Sequence, residues 1–217
     1  MKVHVKDVMD AQVVGIQKSN TLNFDDNLKV MREYAVNYHV PIIKDDGLML
    51  LSQVIKLSNC KEVLEIGTAI GYSAINMAKL GCHVISIERD QEMYDKAIEN
   101  INKSNCKENI GIIFGDALEQ FEILKDKKFD LIFIDAAKGQ YKKFFELYTP
   151  LLNTHGVVLC DNMIFHNSVN MDTTQMSRSL RGLVNKLKNF TEFLINNEDF
   201  DTTIYEIGDG MAVSIKR

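Results

Sequence analysis

"LIFIDAAK", residues 131–138, decides how the chain reads. Leu131 to Ile134 are four apolar residues in succession, the pattern of a strand buried on both faces. Asp135 follows without transition, and Lys138 comes three residues later. A strand that runs from a dry interior straight into a carboxylate and an amine points to a sheet edge where polar side chains gather.

The pattern recurs on both sides of this stretch. "EVLEI", "HVISIE", "IGIIFGD", "FDLIFID" and "GVVLCD" are short apolar runs. Amphipathic stretches such as "QEMYDKAIENINKS" and "QYKKFFELYTPLL" lie between them. Apolar strands alternating with helices make a parallel sheet covered on both faces. The end of the chain differs: "TTIYEI", "GDG" and "MAVSIKR" read as an antiparallel hairpin. The expectation is an α/β fold, a doubly wound, mostly parallel seven-stranded sheet with an antiparallel C-terminal hairpin and helices on both faces.

The front of the chain is helical. In "FDDNLKVMREYAVNYH", Leu28, Met31, Ala35 and Tyr38 follow helical spacing behind Asp25 or Asp26 as a cap. "DDGLMLLSQVIKLS" predicts a second helix with Leu51, Val54 and Ile55 inward. With 217 residues, 46% hydrophobic and 25% charged, the chain can bury the core of one large domain. Only Pro41 and Pro150 are prolines, and no repeat or linker-like tract interrupts the sequence. A single domain over 1–217 is expected, with 1–60 as helices covering the active site and 61–217 as the core.

No apolar run approaches the roughly 20 residues that span a bilayer. The start, "MKVHVKDVMD", is charged from the outset and has no signal-peptide core, so the expected location is cytoplasmic. Cys60, Cys82, Cys106 and Cys160 show no C-x-x-C spacing, which speaks against a zinc or redox motif. They are expected to be reduced thiols packed as small apolar groups. The net charge of -5 argues against a surface coated in basic residues for nucleic acid, while leaving a local basic face open.

Acidic residues mark every parallel strand end: Glu65, Glu88, Asp116, Asp135, and Asp161 with Asn162. Any one of them is explained well enough as a cap for the next helix. Five in five strands fit better with a ligand edge, since the carboxyl ends of an open parallel sheet lie together. In "EVLEIGTAIGYSA", Gly67 and Gly71 allow a tight turn and close backbone approach, and Ser73 stands where a helix should start. This is not the G-x-G-x-x-G dinucleotide fingerprint. Glu88, about twenty residues on, fits an acid that grips ribose hydroxyls. Together with "FGDA" these residues point to an adenosine-containing ligand. Asp135, Asp161 and Asn162 all offer hard oxygen, and two close carboxylates repel unless a cation lies between them. Such a set suits Mg²⁺, with Mn²⁺ or Ca²⁺ compatible. Lys138 would face the same cavity as a base; its plainer explanation is a solvated lysine.

At these residues the chain resembles a family. "VLEIGTAIGYSA", "ISIERD", "GDA", "FDLIFIDAAKGQY" and "GVVLCDN" look like the cation-dependent class I O-methyltransferases, catechol and caffeoyl-CoA enzymes among them. The likeness runs from "VPIIKDDGLMLL" to "IGDGMAVSIK". It implies a Rossmann-like core, S-adenosylmethionine as methyl donor, and a homodimer. By the same resemblance Glu65, Gly67, Thr68 and Ser73 would surround the methionine part of the cofactor, and Glu88 would hold the ribose. Asp116 and Ala117 would flank the adenine. Val40 would close the pocket, Asp135 would touch both cofactor and metal, and Lys138 would take the acceptor's proton or hold its oxyanion.

The tail "SRSLRGLVNKLKNF…YEIGDGMAVSIKR" further resembles bacterial tRNA 5-hydroxyuridine methyltransferases, which implies a wobble-position hydroxyl in a tRNA anticodon loop as acceptor. The alternative is a small catechol or caffeoyl-CoA-type acceptor. A nicotinamide-dependent oxidoreductase is a further rival, disfavoured by the missing glycine fingerprint. In "DTTQMSRSLRGLVNKLKNFTEFL", Asp172 and Gln175 have capping-box spacing. Leu180, Leu183, Leu187, Phe190 and Leu194 form an apolar stripe. Arg178, Arg181, Asn185 and Lys188 fall on the opposite side, a face suited to anticodon-loop phosphates or simply to solvent.

Overall fold

The computed structural model describes residues 24–163 and 177–217. Seven strands form one sheet: β1 (Glu62–Ile66), β2 (His83–Glu88), β3 (Ile110–Phe114), β4 (Phe129–Ile134), β5 (Leu152–Cys160), β6 (Phe200–Tyr205) and β7 (Met211–Lys216). Their spatial order is β3-β2-β1-β4-β5-β7-β6. The first five pair in parallel, and β7 runs antiparallel to both β5 and β6. The expected reversed edge is therefore present. The direction of winding switches between β1 and β4, the place where open α/β sheets bind ligands.

The helices are α1 (Asp26–Tyr38), α2 (Asp45–Leu57), α3 (Tyr72–Lys79), α4 (Gln91–Lys103), α5 (Phe121–Leu124), α6 (Tyr141–Tyr148) and α7 (Arg178–Ile195). Strand alternation divides the interior into two cores. Val63, Leu131, Phe133, Val157 and Leu159 face α1 to α4, while Leu64, Ile132, Ile134, Val158 and Cys160 face α5 to α7. Leu131 to Ile134 are all fully buried, each contributing about 1.5–3 kcal/mol by burial. Cys60, Cys82 and Cys160 are buried free thiols. Among the described residues no helix is long and apolar enough to cross a membrane.

Three local readings change. The Asp25 carboxylate accepts from the Leu28 N–H and starts α1 as expected. Leu28, Met31 and Ala35 are buried, but Tyr38 is exposed and stacks on Tyr34. The helix stops there, at a left-handed His39. In α2, Leu51 and Ile55 are buried and Val54 only half so. β5 starts at Leu152 rather than Gly156, entering through polar Asn153, Thr154 and a positive-φ His155. Its register against β4 shifts there, so the strand's first half lacks the apolar run that betrays the second.

Helix α7 is capped by Ser177, whose hydroxyl accepts from the Leu180 N–H. Asp172 and Gln175 lie outside the described residues. The buried face is Val184, Leu187, Phe190 and Leu194. Leu180 and Leu183 are only half-buried, and Val184 takes the place the expected stripe gave to Leu183.

Candidate active site

The loop between β1 and α3 is shaped by close packing at the switch point. Gly67 has φ +96, and a Cβ there would stand 2.0 Å from the Asp135 carbonyl oxygen. Only glycine lets the ends of β1 and β4 approach this closely. Gly71, also left-handed, caps α3, and no side chain occupies that helix's first-turn N–H groups. Glu88, at the end of β2, holds the loop. Its Oε2 accepts from the N–H groups of Thr68 (3.1 Å) and Ala69 (2.8 Å), and its Oε1 from those of Arg89 and Asp90 (2.9 Å each).

A cavity of about 870 Å³ opens at this loop. Its walls include Gly67, Thr68, Ser73, Glu88, Asp116, Ala117 and Asp135, seven of the nine residues expected to touch a cofactor. Of the other two, Glu65 lies beneath the loop, fully buried inside β1. The Ser86 hydroxyl donates to its Oε2, while its Oε1 is buried with no hydrogen-bond partner among the described residues. Burial pushes its pKa up to about 8 against the opposing influence of Ser73 and Ser86. A buried acid with one unmatched oxygen beside a ligand cavity calls for a donor from the ligand. Val40, the other, lines the adjoining cavity, and Pro41, Ile42 and Ile43 stand at the wall where it was expected. Asp116 lies two residues past β3 and accepts from the Leu118 N–H.

The second cavity is lined by Asp135, Asp161, Asn162, Asp209, Arg32, Lys44 and an apolar wall running from Val36 to Ile43. Asp135 and Asp161 each follow directly on adjacent strands, their N–H groups continuing the ladder to Ile66 and Ile134 at 3.0 Å. The Asn162 amide donates to Asp135 Oδ1 at 2.9 Å, and the Asn162 N–H donates to Asp161 Oδ1 at 2.7 Å. Asn162 takes a left-handed φ of 59 to do this. Burial raises the pKa of both aspartates, the Asp161 charge raises Asp135 further, and Asp209 does the same for Asp161. Lys138 is half-buried in the turn after β4, and its charge opposes these shifts at both carboxylates. Among the described residues no three His, Cys, Asp or Glu side chains group as a cation site; the expected set is two carboxylates and an amide.

Several site residues escaped the sequence reading. Asp209 lies in the "GDG" turn, which read only as a hairpin tip, yet it lines the second cavity and binds Lys44 at 2.7 Å. Arg32, on α1, pairs with Asp45 and donates to the Tyr72 hydroxyl at 3.0 Å. Nothing local marks either role. The basic residues Arg178, Arg181 and Lys188, with Asn185, are all exposed on α7, as expected, and line neither cavity.

The profile of the O-methyltransferase family matches residues 19–217. The catechol O-methyltransferase of Niastella koreensis is 31% identical over 179 residues, covering 77% of this chain and 77% of that protein. The flavonoid 3',5'-methyltransferase of Vitis vinifera is 28% identical over 206 residues, covering 87% and 86%. Among solved structures, a Staphylococcus aureus protein assigned as a caffeoyl-CoA O-methyltransferase shares 40% identity and a TM-score of 0.84, over 99% of this chain and 100% of that one. A Bacillus cereus O-methyltransferase in complex with SAH, 22% identical with a TM-score of 0.77 over 90% and 93%, is alike in fold.

Proposed function

The chain belongs to the S-adenosylmethionine-dependent O-methyltransferases of caffeoyl-CoA and catechol type, and from that premise we propose its acceptor and cation. The acceptor is a small molecule with two neighbouring oxygens, as in a catechol. The cation is Mg²⁺, with Mn²⁺ or Ca²⁺ acceptable to the same donors. The observation that carries this reading is that the two cavities share one carboxylate, Asp135. Methyl transfer is an in-line displacement, so donor and acceptor must meet from opposite sides of one boundary. A cofactor in the first cavity and an acceptor in the second would meet at Asp135.

The residues present fit both groups. For the cofactor, Glu65 offers an unmatched buried oxygen to the cationic amino group of a methionine moiety, and Gly67 lines the cavity above it. Glu88 borders the ribose position, Asp116 and Ala117 the adenine. For the cation, Asp135, Asp161 and Asn162 present hard oxygen, and the raised carboxylates are the kind that a divalent ion relieves. When bound, such an ion supplies Lewis-acid polarisation of the acceptor hydroxyl. Lys138, in the turn after Asp135, would accept the hydroxyl proton as a neutral amine. Val36, Val40, Pro41 and Ile42 shield the acceptor's ring from water.

The relatives above are named for catechol, flavonoid and caffeoyl-CoA chemistry, which supports the small acceptor as first reading. The wobble 5-hydroxyuridine of tRNA stands second, favoured by the exposed Arg178, Arg181 and Lys188 on α7. The test pairs two acceptors. The protein, S-adenosylmethionine and Mg²⁺ are incubated with catechol or with tRNA lacking the methyl group, and products are weighed by mass spectrometry. Catechol should gain a methyl group, and both EDTA and Asp161→Ala should abolish the gain. Undiminished activity in EDTA removes the cation. Methylation of tRNA alone, lost on changing Arg178, Arg181 and Lys188 to Glu, installs the second reading.

A further inference from the structure

Tyr141 is fully buried at the start of α6, directly beneath the ends of β4 and β5. Its hydroxyl donates to the backbone carbonyl of Asp161 at 3.0 Å. The hydroxyl thus links the start of α6 to the strand end that carries the Asp161–Asn162 pair. The carbonyl it holds belongs to the peptide joining Asp161 to Asn162. The orientation of that peptide sets the left-handed φ of Asn162, a conformation that asparagine tolerates better than most residues with a side chain. The ring itself is held by Phe190 of α7, edge-on with centroids 5.8 Å apart and planes at 80°.

We propose that Tyr141 is a positioning residue for cation binding: its hydroxyl fixes the Asp161–Asn162 peptide so that both side chains reach the ion that Asp135 shares. The inference rests on the cation reading given above. Tyr141 itself lines neither cavity, and its hydroxyl reaches the site through the Asp161 carbonyl. Partners one step behind a metal's ligands commonly control affinity by roughly 10- to 100-fold.

The test uses Tyr141→Phe, which keeps the ring against Phe190 and removes only the hydroxyl. Mn²⁺ alone is the probe, its free concentration read by electron paramagnetic resonance. S-adenosylhomocysteine affinity without metal is read by calorimetry. Mn²⁺ Kd should rise about tenfold or more, with S-adenosylhomocysteine Kd unchanged. Tyr148→Phe is the control. Its buried hydroxyl donates to the Ala117 carbonyl at 2.5 Å, away from the aspartates, so the Mn²⁺ Kd should hold. A merely structural Tyr141 would lower the melting temperature of the variant and leave Mn²⁺ affinity equal to that of Tyr148→Phe, which overturns the proposal. If Tyr141→Phe fails to fold, Phe190→Leu, which loosens the ring and keeps the hydroxyl, should raise the Mn²⁺ Kd a few-fold; an unchanged Kd there overturns it too. Wild-type protein that takes up no Mn²⁺ overturns the cation reading itself, and this inference falls with it.

Discussion

Glu65 is the residue whose environment is least comfortable. A carboxyl buried in β1 with one oxygen unmatched holds its proton up to about pH 8, against an ordinary value of 4.5. Between those values the folded chain binds a proton that the unfolded chain has lost. The associated stability is present below about pH 4.5 and is lost as pH rises through about 8. Glu65→Gln removes that dependence. The fall in melting temperature of the ligand-free protein between pH 5 and pH 8.5 should be smaller in this variant than in wild type, and equal slopes would return Glu65 to an ordinary acid. Glu88 is its opposite, with four backbone N–H groups on its two oxygens. Glu88→Ala strands those donors at about 1–3 kcal/mol for each buried one. Melting temperature and S-adenosylhomocysteine affinity should fall together; a loss of affinity with unaltered melting would mean the carboxylate serves the ligand alone. Both acids were legible as strand-end carboxylates, because their sequence neighbours are apolar. What they hold was not, because Ser86, Thr68 and Ala69 meet them only through the fold.

The elements were read from two periodicities, and the misses fall where a third influence intervened. Strands with an apolar run, such as Phe129–Ile134, were placed to within a residue. The polar entry of β5 was missed because its pairing with β4 is sustained by the sheet, not by its own side chains. Helix α7 is legible from its stripe, yet its cap is Ser177 and its buried line runs through Val184, while Tyr141 and Phe145 pack on Phe190. The loop between β1 and α3 offers a sharper test of element geometry. Gly67→Ala meets the Asp135 carbonyl at 2.0 Å, whereas Gly81→Ala, with a similar φ of +90, meets nothing within 4 Å. Left-handed strain alone costs an L residue about 1–2 kcal/mol. Gly81→Ala should lose about that much in denaturant unfolding, and Gly67→Ala clearly more, with Mn²⁺ and S-adenosylhomocysteine affinity both reduced because β1 and β4 must separate. Equal losses in the two variants would mean that the close approach of the strand ends is not what glycine protects.

At the scale of the molecule, the N-terminal helices and the sheet meet around the second cavity, and Arg32 is the clasp. From α1 it forms a bidentate pair with Asp45 at the start of α2, donates to the Tyr72 hydroxyl of α3, and stacks over the Phe24 ring at 4.6 Å. The Asp45 partner raises the guanidinium's pKa further, so the charge is permanent. The pair is roughly a third to a half exposed, and such pairs are worth about 0–1 kcal/mol on their own. The clasp therefore matters more for where α1 sits than for global stability. Alpha helix α1 brings Arg32, Ala35 and Val36 to the second cavity and nothing to the first. The sequence suggests residues 1–60 as a cover for the active site; among the described ones, α1 reaches the second cavity alone, while Pro41, Ile42 and Ile43 after it line both. Arg32→Ala should therefore raise the acceptor KM several-fold while S-adenosylhomocysteine Kd and Mn²⁺ Kd stay within a factor of two. Arg32→Lys should recover only part of the loss, since a single ammonium cannot reproduce the fork that spans Asp45 and Tyr72. Steady-state kinetics with catechol and calorimetry with S-adenosylhomocysteine decide the matter: a cofactor affinity that drops as far as the acceptor's would show that the N-terminal helices close both cavities as one.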